Sequence, residues 1–347
     1  MGELRNLNHL QETLVISGLG SEVDQCEAMN AQLKKKINLH TLTLMFKEWD
    51  GEEIIREKDA LVLNALEPPP NLESLRIVYY KAPIMFPNWM MSLTNLKELV
   101  INISSLECLP PLGKLPFLKS LEMWEIKRFK KLGVEFMGIE ESEKKEEGDI
   151  LIPLFPNLIS LSFMSFYDWE EWNGIEEEEE DCIKRFTIMP RLQRLEINYC
   201  RELKSLPNFL RTTPLQKLQI GGCPILKERC KRGTGKEWPK ISHIPNIEIA
   251  GIYVQRDGRE YEAEPKVTSS DTSSFPSASS FTLQYINIIL IKILLVCQNF
   301  PLERKKKKML VDELSGSHSF ELGDLLFRLG YFVIYLKLLN KYPNEYP

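Results

Sequence analysis

The feature that most constrains this chain is a string, Leu-x-x-Leu-x-(Leu/Ile), that recurs through its first 250 residues. It stands at residues 39–44, 72–77, 96–101, 118–123, 158–163, 192–197 and 215–220, with Met123 and Phe163 closing two of the copies. A weaker copy ends the series at 244–249, and a looser one with an extra residue opens it at 10–16. One copy would mean nothing, because leucine is common. Eight copies, most of them preceded by Asn, Phe or Pro, define an internal repeat. Within a copy, apolar and polar residues alternate, so Leu195 and Ile197 point one way while Arg194, Glu196 and Asn198 point the other. A strand that short cannot bury its apolar face alone, so its stable form is a parallel sheet stacked from many copies.

The first leucines are separated by 33, 24, 22, 40, 34, 23 and 29 residues. The shorter intervals fit the 20–29-residue period of leucine-rich repeats. The longer ones hold acidic insertions, near 138–150 and 173–182, composed as solvated loops should be. The fullest unit runs Leu192-x-x-Leu195-x-Ile197-x-x-Cys200-x-x-Leu203-x-x-Leu206-Pro207. Cys200, and Cys223 in the next unit, occupy the place where a small buried side chain lets the chain turn off the strand. Gly221-Gly222 and Pro110-Pro111 mark turns. The expected fold is an α/β solenoid, a leucine-rich-repeat horseshoe with a parallel sheet on its concave face and an irregular convex side. A poorly defined C-terminal tail follows it.

Positions outside the leucines carry a more specific resemblance. They are Leu4-Arg5-Asn6-Leu7-Asn8-His9-Leu10-Gln11 with Leu14-Val15-Ile16-Ser17-Gly18-Leu19, and Leu33-Lys34-Lys35-Lys36 ahead of the copy at 39–44. Further on stand Phe86-Pro87-Asn88-Trp89-Met90, the run from Leu109 through Pro116, Tyr167-Asp168-Trp169-Glu170-Glu171-Trp172, and Lys240-Ile241-Ser242-His243-Ile244-Pro245. With these, residues 1–250 resemble the leucine-rich-repeat region of plant coiled-coil NB-LRR disease-resistance proteins. The resemblance implies a protein-interaction module in the defence response. Its partners would be a pathogen effector, a guarded host protein, or the NB-ARC nucleotide-binding switch domain that such repeats restrain.

That switch is absent from the sequence itself. A phosphate-cradling loop needs Gly-x4-Gly-Lys-(Ser/Thr). The nearest string, Cys230-Lys231-Arg232-Gly233-Thr234-Gly235-Lys236-Glu237, has Cys where the first Gly belongs and Glu where the hydroxyl belongs. Gly233 and Gly235 are therefore expected as turn residues, no cofactor is expected, and the chain resembles a piece that begins inside a repeat array. No HExxH or GxSxG string occurs, so no catalytic residues are expected and the chain is not expected to be an enzyme. Seven Cys without a CxxC pair, and four scattered His, give no metal set. A formal charge of −5 sets the chain apart from dedicated nucleic-acid binders. The start, Met1-Gly2-Glu3-Leu4, carries no apolar signal segment, so the expected compartment is cytoplasmic.

Binding is expected on the polar side of the sheet. Trp124 and Met164 are large apolar residues at outward positions, and Arg76, Arg194, Glu196 and Lys217 surround them in the pattern. Aromatic and Arg side chains anchor many interfaces, so these six are the candidate protein-binding residues. The competing expectation is that inserted loops cover Trp124 and Met164. Tyr167, Trp169 and Trp172 are expected as a structural cap on the convex side.

After the repeats the composition changes. Residues 251–281 form a polar, Ser-rich linker, and residues 282–347 an apolar and basic tail. The stretch 281–300 is long enough for a bilayer crossing, but Lys292 sits near its middle. The tail could be a docking helix, an anchor, or translated non-coding sequence. The alternative function is accordingly a membrane-anchored leucine-rich-repeat receptor-like fragment. A ubiquitin-ligase substrate receptor would need an F-box-like helical segment that residues 1–38 do not offer.

Overall fold

The computed structural model describes residues 2–20, 23–47, 57–82, 86–103, 109–139, 151–174 and 186–261. All lie in the first of the chain's two units, Met1–Pro265. Most of both acidic insertions (140–150 and 175–185) and the whole of 262–347, with its apolar stretch at 281–300, fall outside the described residues. Among the described residues no helix is long and apolar enough to cross a membrane.

The strands are β1 (Glu12–Leu19), β2 (Leu39–Phe46), β3 (Ser74–Tyr80), β4 (Glu98–Ile103), β5 (Ser120–Trp124), β6 (Lys131–Leu132), β7 (Ile152–Leu154) and β8 (Ser160–Met164). They continue with β9 (Glu171–Trp172), β10 (Phe186–Ile188), β11 (Arg194–Asn198), β12 (Lys217–Gly221), β13 (Asn246–Ile249), β14 (Ile252–Arg256) and β15 (Arg259–Glu260). One sheet orders its members β1-β2-β3-β4-β5-β8-β11-β12-β13-β14-β15. Every pairing from β1 to β13 is parallel. The repeat copies therefore stack in chain order, one strand per copy.

Register turns the repeat into buried columns. Leu42, Leu75, Leu99, Leu121, Leu161, Leu195, Leu218 and Ile247 lie side by side across eight strands and are fully buried. The column two residues on, from Leu44 and Ile77 to Ile220 and Ile249, is buried beside it. Each buried aliphatic side chain contributes about 1.5–3 kcal/mol of transfer free energy, so a core of this length forms only when the copies stack. At the start of β1, Glu12 adopts φ +61° and pairs with Leu39, and the register shifts by one residue on β2 before Thr13 pairs with Thr41. Beyond it Leu14 faces Leu42 and Ile16 faces Leu44, in step with the rest.

A residue with positive φ stands at the ends of β3, β5, β8, β11 and β12: Tyr79, Glu125, Ser165, Tyr199 and Gly222. The N–H groups of Glu125, Ser165 and Tyr199 donate to Met164 O (2.9 Å), Asn198 O (2.8 Å) and Gly221 O (2.7 Å) on the next strand. The buried residues that follow include Cys200 and Cys223. Both are free thiols, with Cys200 N–H donating to Cys223 Sγ at 3.3 Å. Burial pushes the Cys200 thiol well up, while the hydrogen bond from Cys200 draws Cys223 down. Their role in the turn is the structural one expected. An asparagine ladder precedes the strands: Asn71, Asn95 and Asn157 donate their side-chain amides to Ile37 O (2.5 Å), Pro70 O (3.4 Å) and Pro116 O (2.7 Å) of the preceding unit. Phe117 takes the ladder position in one unit and stands exposed.

Opposite the sheet, Trp169 and Trp172 are buried in a cluster with Phe163, Phe166 and Phe209, while Tyr167 is exposed. Trp169 Nε1 donates to Glu171 O at 2.8 Å. Two of the three residues expected as a cap pack inside.

The C-terminal boundary differs from the expectation. Ordered structure runs past residue 250: after a turn at Ala250 and Gly251, β14 pairs antiparallel with β13, and β15 with β14. The first eleven residues assigned to a linker are thus a hairpin closing the sheet's last edge. Gln255, whose side chain is buried, donates to Ser242 O (3.0 Å) and Ile244 O (2.7 Å) and accepts from Arg232. It satisfies carbonyls that no further repeat would cover. A lone polar Gln in a charged segment carries no periodic signal, which is why the repeat pattern ended too early.

Candidate functional site

Strand alternation leaves three outward columns on the solvent side of the sheet. The middle column aligns Arg76, Val100, Glu122, Ser162, Glu196, Gln219 and Glu248 on neighbouring strands β3 to β13. The column toward the strand starts includes Ser160, Arg194 and Lys217, and the column toward the strand ends includes Asn102, Trp124, Met164, Asn198 and Gly221.

The six candidate residues fall into two groups and an outlier. Trp124 and Met164 are direct neighbours on β5 and β8, both half-buried. Arg194 and Lys217 are direct neighbours on β11 and β12, with Glu196 beside them in the middle column. Arg76 is exposed on β3, four strand spacings from Glu196, or roughly 19 Å along the sheet. Tyr79 joins the apolar group: its ring meets Trp124 edge-on with centroids 6.5 Å apart. Sequence alternation missed Tyr79 because the positive φ at this residue breaks the period of two.

The acids on this face sit in poor solvent. Burial raises the Glu122 carboxyl above its ordinary range, and Glu196 and Glu98 raise it further while Arg76 pulls it back. Burial likewise raises Glu196, with Lys217 and Arg194 opposing and Glu248 adding to the rise. Glu248 was missed as a member of the face because its strand belongs to the weakest repeat copy. Asn102 is outward by alternation but only 2% exposed. It accepts from Tyr79 N–H at 2.9 Å and donates to Trp124 O (3.3 Å) and Glu125 Oε2 (2.9 Å).

The failed phosphate loop has a structural explanation. Gly233 has φ +72°, and a Cβ on Gly235 would lie 2.2 Å from Arg229 O, so both positions need glycine to turn. Glu237 is buried, accepts from Leu206 N–H at 3.0 Å and pairs with Lys240 at 2.8 Å. Among the described residues no group of three His, Cys, Asp or Glu side chains is placed to hold a metal ion.

Residues 1–126 match the family described as R13L1/DRL21 LRRs. Disease resistance protein RGA2 of Solanum bulbocastanum is 28% identical, over 72% of this chain and 34% of its own length. RGA4 of the same species is 26% identical, over 72% and 35%. At3g14460 of Arabidopsis thaliana is 32% identical, over 64% and 15%. The names of all three include the words disease resistance protein. The chain spans about a third of the length of the first two. A solved internalin from Listeria monocytogenes aligns with 72% of this chain and 75% of its own at a TM-score of 0.27 and 16% identity.

Proposed function

We propose that this leucine-rich-repeat chain, similar over 72% of its length to plant disease resistance proteins, works in the defence response as a non-catalytic protein-interaction module. Its face is the solvent side of the sheet, where Trp124 and Met164 supply the apolar contact and Arg194, Glu196 and Lys217 the charged one. Arg76 adds a cation at the far side. Recognition of a pathogen effector or guarded host protein on this face is coupled to an NB-ARC switch domain supplied elsewhere, in the cytoplasm.

One observation carries this reading: Trp124 and Met164 are paired across neighbouring strands and stay half-buried at outward positions, with the Tyr79 ring against Trp124. A rigid sheet presenting an aromatic pair beside desolvated charge has the makings of a binding hot spot. The test compares the partners recovered by the wild-type chain, by a Trp124→Ala/Arg194→Ala variant, and by an Arg201→Ala/Lys227→Ala variant altered off this face. Partners lost only with the first variant support the reading. Partners lost only with the second overturn it.

A further inference from the structure

Cys200 and Cys223 hold the same place in adjacent repeat units. Each follows a positive-φ residue, Tyr199 or Gly222, and stands two residues past the register pair Asn198 and Gly221. Tyr199 N–H ties the two strand exits together by donating to Gly221 O at 2.7 Å. Neighbouring strands are about 4.8 Å apart, within the roughly 4.4–6.8 Å between Cα atoms that a disulfide spans. The sulfurs also lean together: Cys223 Sγ accepts from Cys200 N–H at 3.3 Å, and the Cys200 thiol hydrogen-bonds the Cys223 sulfur. Around them, Cys200 Sγ lies 3.4 Å from Asn198 O, and Cys223 Sγ lies 3.3 Å from Gly221 O and 3.5 Å from Ile197 O. Both thiols are free.

The two sulfurs differ in reach and in charge. Cys223 is 3% exposed and directly follows the exposed Gly222, whereas Cys200 is fully buried behind the exposed Tyr199. The Cys200 thiol and the N–H groups of Cys200 and Tyr199 draw Cys223 toward its anion, against the effect of burial. The thiolate is the form that attacks an oxidant. Cys200, pushed up by burial, is held beside it as a thiol. Cys230 is also buried, with its thiol pushed up to about 12, and serves as an internal control.

We propose that Cys200 and Cys223 form a reversible redox site, which a hydroperoxide closes to a disulfide between two repeat units. The Cys223 sulfur attacks the peroxide O–O bond and keeps one oxygen as a sulfenic acid. The other oxygen leaves with the Cys223 proton, as water or an alcohol. The Cys200 sulfur then attacks the sulfenic sulfur, so that the S–S bond forms and the S–O bond breaks. The hydroxyl leaves with the Cys200 proton as water. Two electrons pass from the sulfurs to the peroxide, and a thiol reductant returns them. The bond joins residues 23 apart in sequence and ties the exits of β11 and β12, the strands that carry Arg194, Glu196 and Lys217. It stands whether or not the sheet face binds a partner.

The test treats the folded full chain with hydrogen peroxide and maps its cysteines by mass spectrometry of unreduced digests. The exposed Cys26 reports that the oxidant is active. A peptide pair linked through Cys200 and Cys223 is expected, with Cys230 still a thiol. The link should disappear with dithiothreitol and should raise Tm by at least about 3 °C, since it constrains the unfolded chain. Cys200→Ser should stop the reaction at a sulfenic acid on Cys223, captured by dimedone. Cys223→Ser should leave Cys200 a thiol. The site is overturned if both sulfurs stay thiols once Cys26 is fully oxidised, or if they pass to sulfinic acids without linking. It is also overturned by a link that lowers Tm, or by oxidation of Cys200 that persists in Cys223→Ser.

Discussion

Asn102 holds Tyr79 and Glu125 together across three strands: its Oδ1 accepts from Tyr79 N–H at 2.9 Å and its Nδ2 donates to Glu125 Oε2 at 2.9 Å. At Glu125, Ser165 and Tyr199 the N–H of the positive-φ residue finds a backbone carbonyl on the next strand. Here a side chain takes that part, and it bonds the backbones of both Tyr79 and Trp124, whose rings meet edge-on. Asn102→Ala leaves the Tyr79 N–H without its acceptor and should cost about 1–3 kcal/mol in urea unfolding. A cost under about 0.5 kcal/mol would show that water replaces the bridge.

The Glu237–Lys240 pair fastens the last connections. Glu237 is buried, accepts from Leu206 N–H, and holds Lys240, whose Nζ also donates to Leu206 O at 2.6 Å. Removing one partner of a buried pair strands the other. Glu237→Ala should destabilise by about 3–5 kcal/mol, and Glu237→Gln by less because it keeps an acceptor for Leu206. Equal losses for the two variants, read by thermal denaturation, would contradict this.

The aromatic cluster predicts an asymmetry between near neighbours. Trp172→Ala removes a ring packed against Phe163, Trp169 and Phe209 and should cost about 3–5 kcal/mol. Tyr167→Ala, at an exposed site, should stay within about 0.5 kcal/mol. Denaturant midpoints of the two variants, measured side by side, decide it.

Glu196 predicts a pH dependence of definite sign. Burial raises its carboxyl in the folded chain above the unfolded value, so the folded state holds the proton more tightly and stability falls as pH rises through the folded pKa. Glu196→Gln removes that penalty. It should raise Tm at pH 7, and the gain should shrink as pH falls and vanish below the ordinary carboxylate value of about 4.3. A gain that is the same at pH 4 and pH 8 would place the effect in packing instead of charge.

The leucines made the sheet legible because a repeated period of two, stacked, has one way to bury itself. Leu42 to Ile247 fall in one register that the string alone specifies. What escaped the sequence was whatever breaks the period. Tyr79 reached the candidate face through a positive φ, and Gln255 ended the array through hydrogen bonds to carbonyls 11 and 13 residues back. The face itself was half legible. Alternation placed Trp124, Met164, Arg194, Glu196 and Lys217 outward, but not the degree of burial, which depends on what lies on neighbouring strands. Asn102 illustrates this: it is outward by count and buried by contact.

The central claim is that partner proteins bind on the solvent side of the sheet. Its most direct measurement is the Kd of a recovered partner for the wild-type chain and for the Trp124→Ala/Arg194→Ala variant, with the fold of both checked by circular dichroism. Two anchors of a hot spot, each worth about 1–2 kcal/mol or more, should together weaken binding at least tenfold. An unchanged Kd with an intact fold would contradict the claim and move the interface off this face.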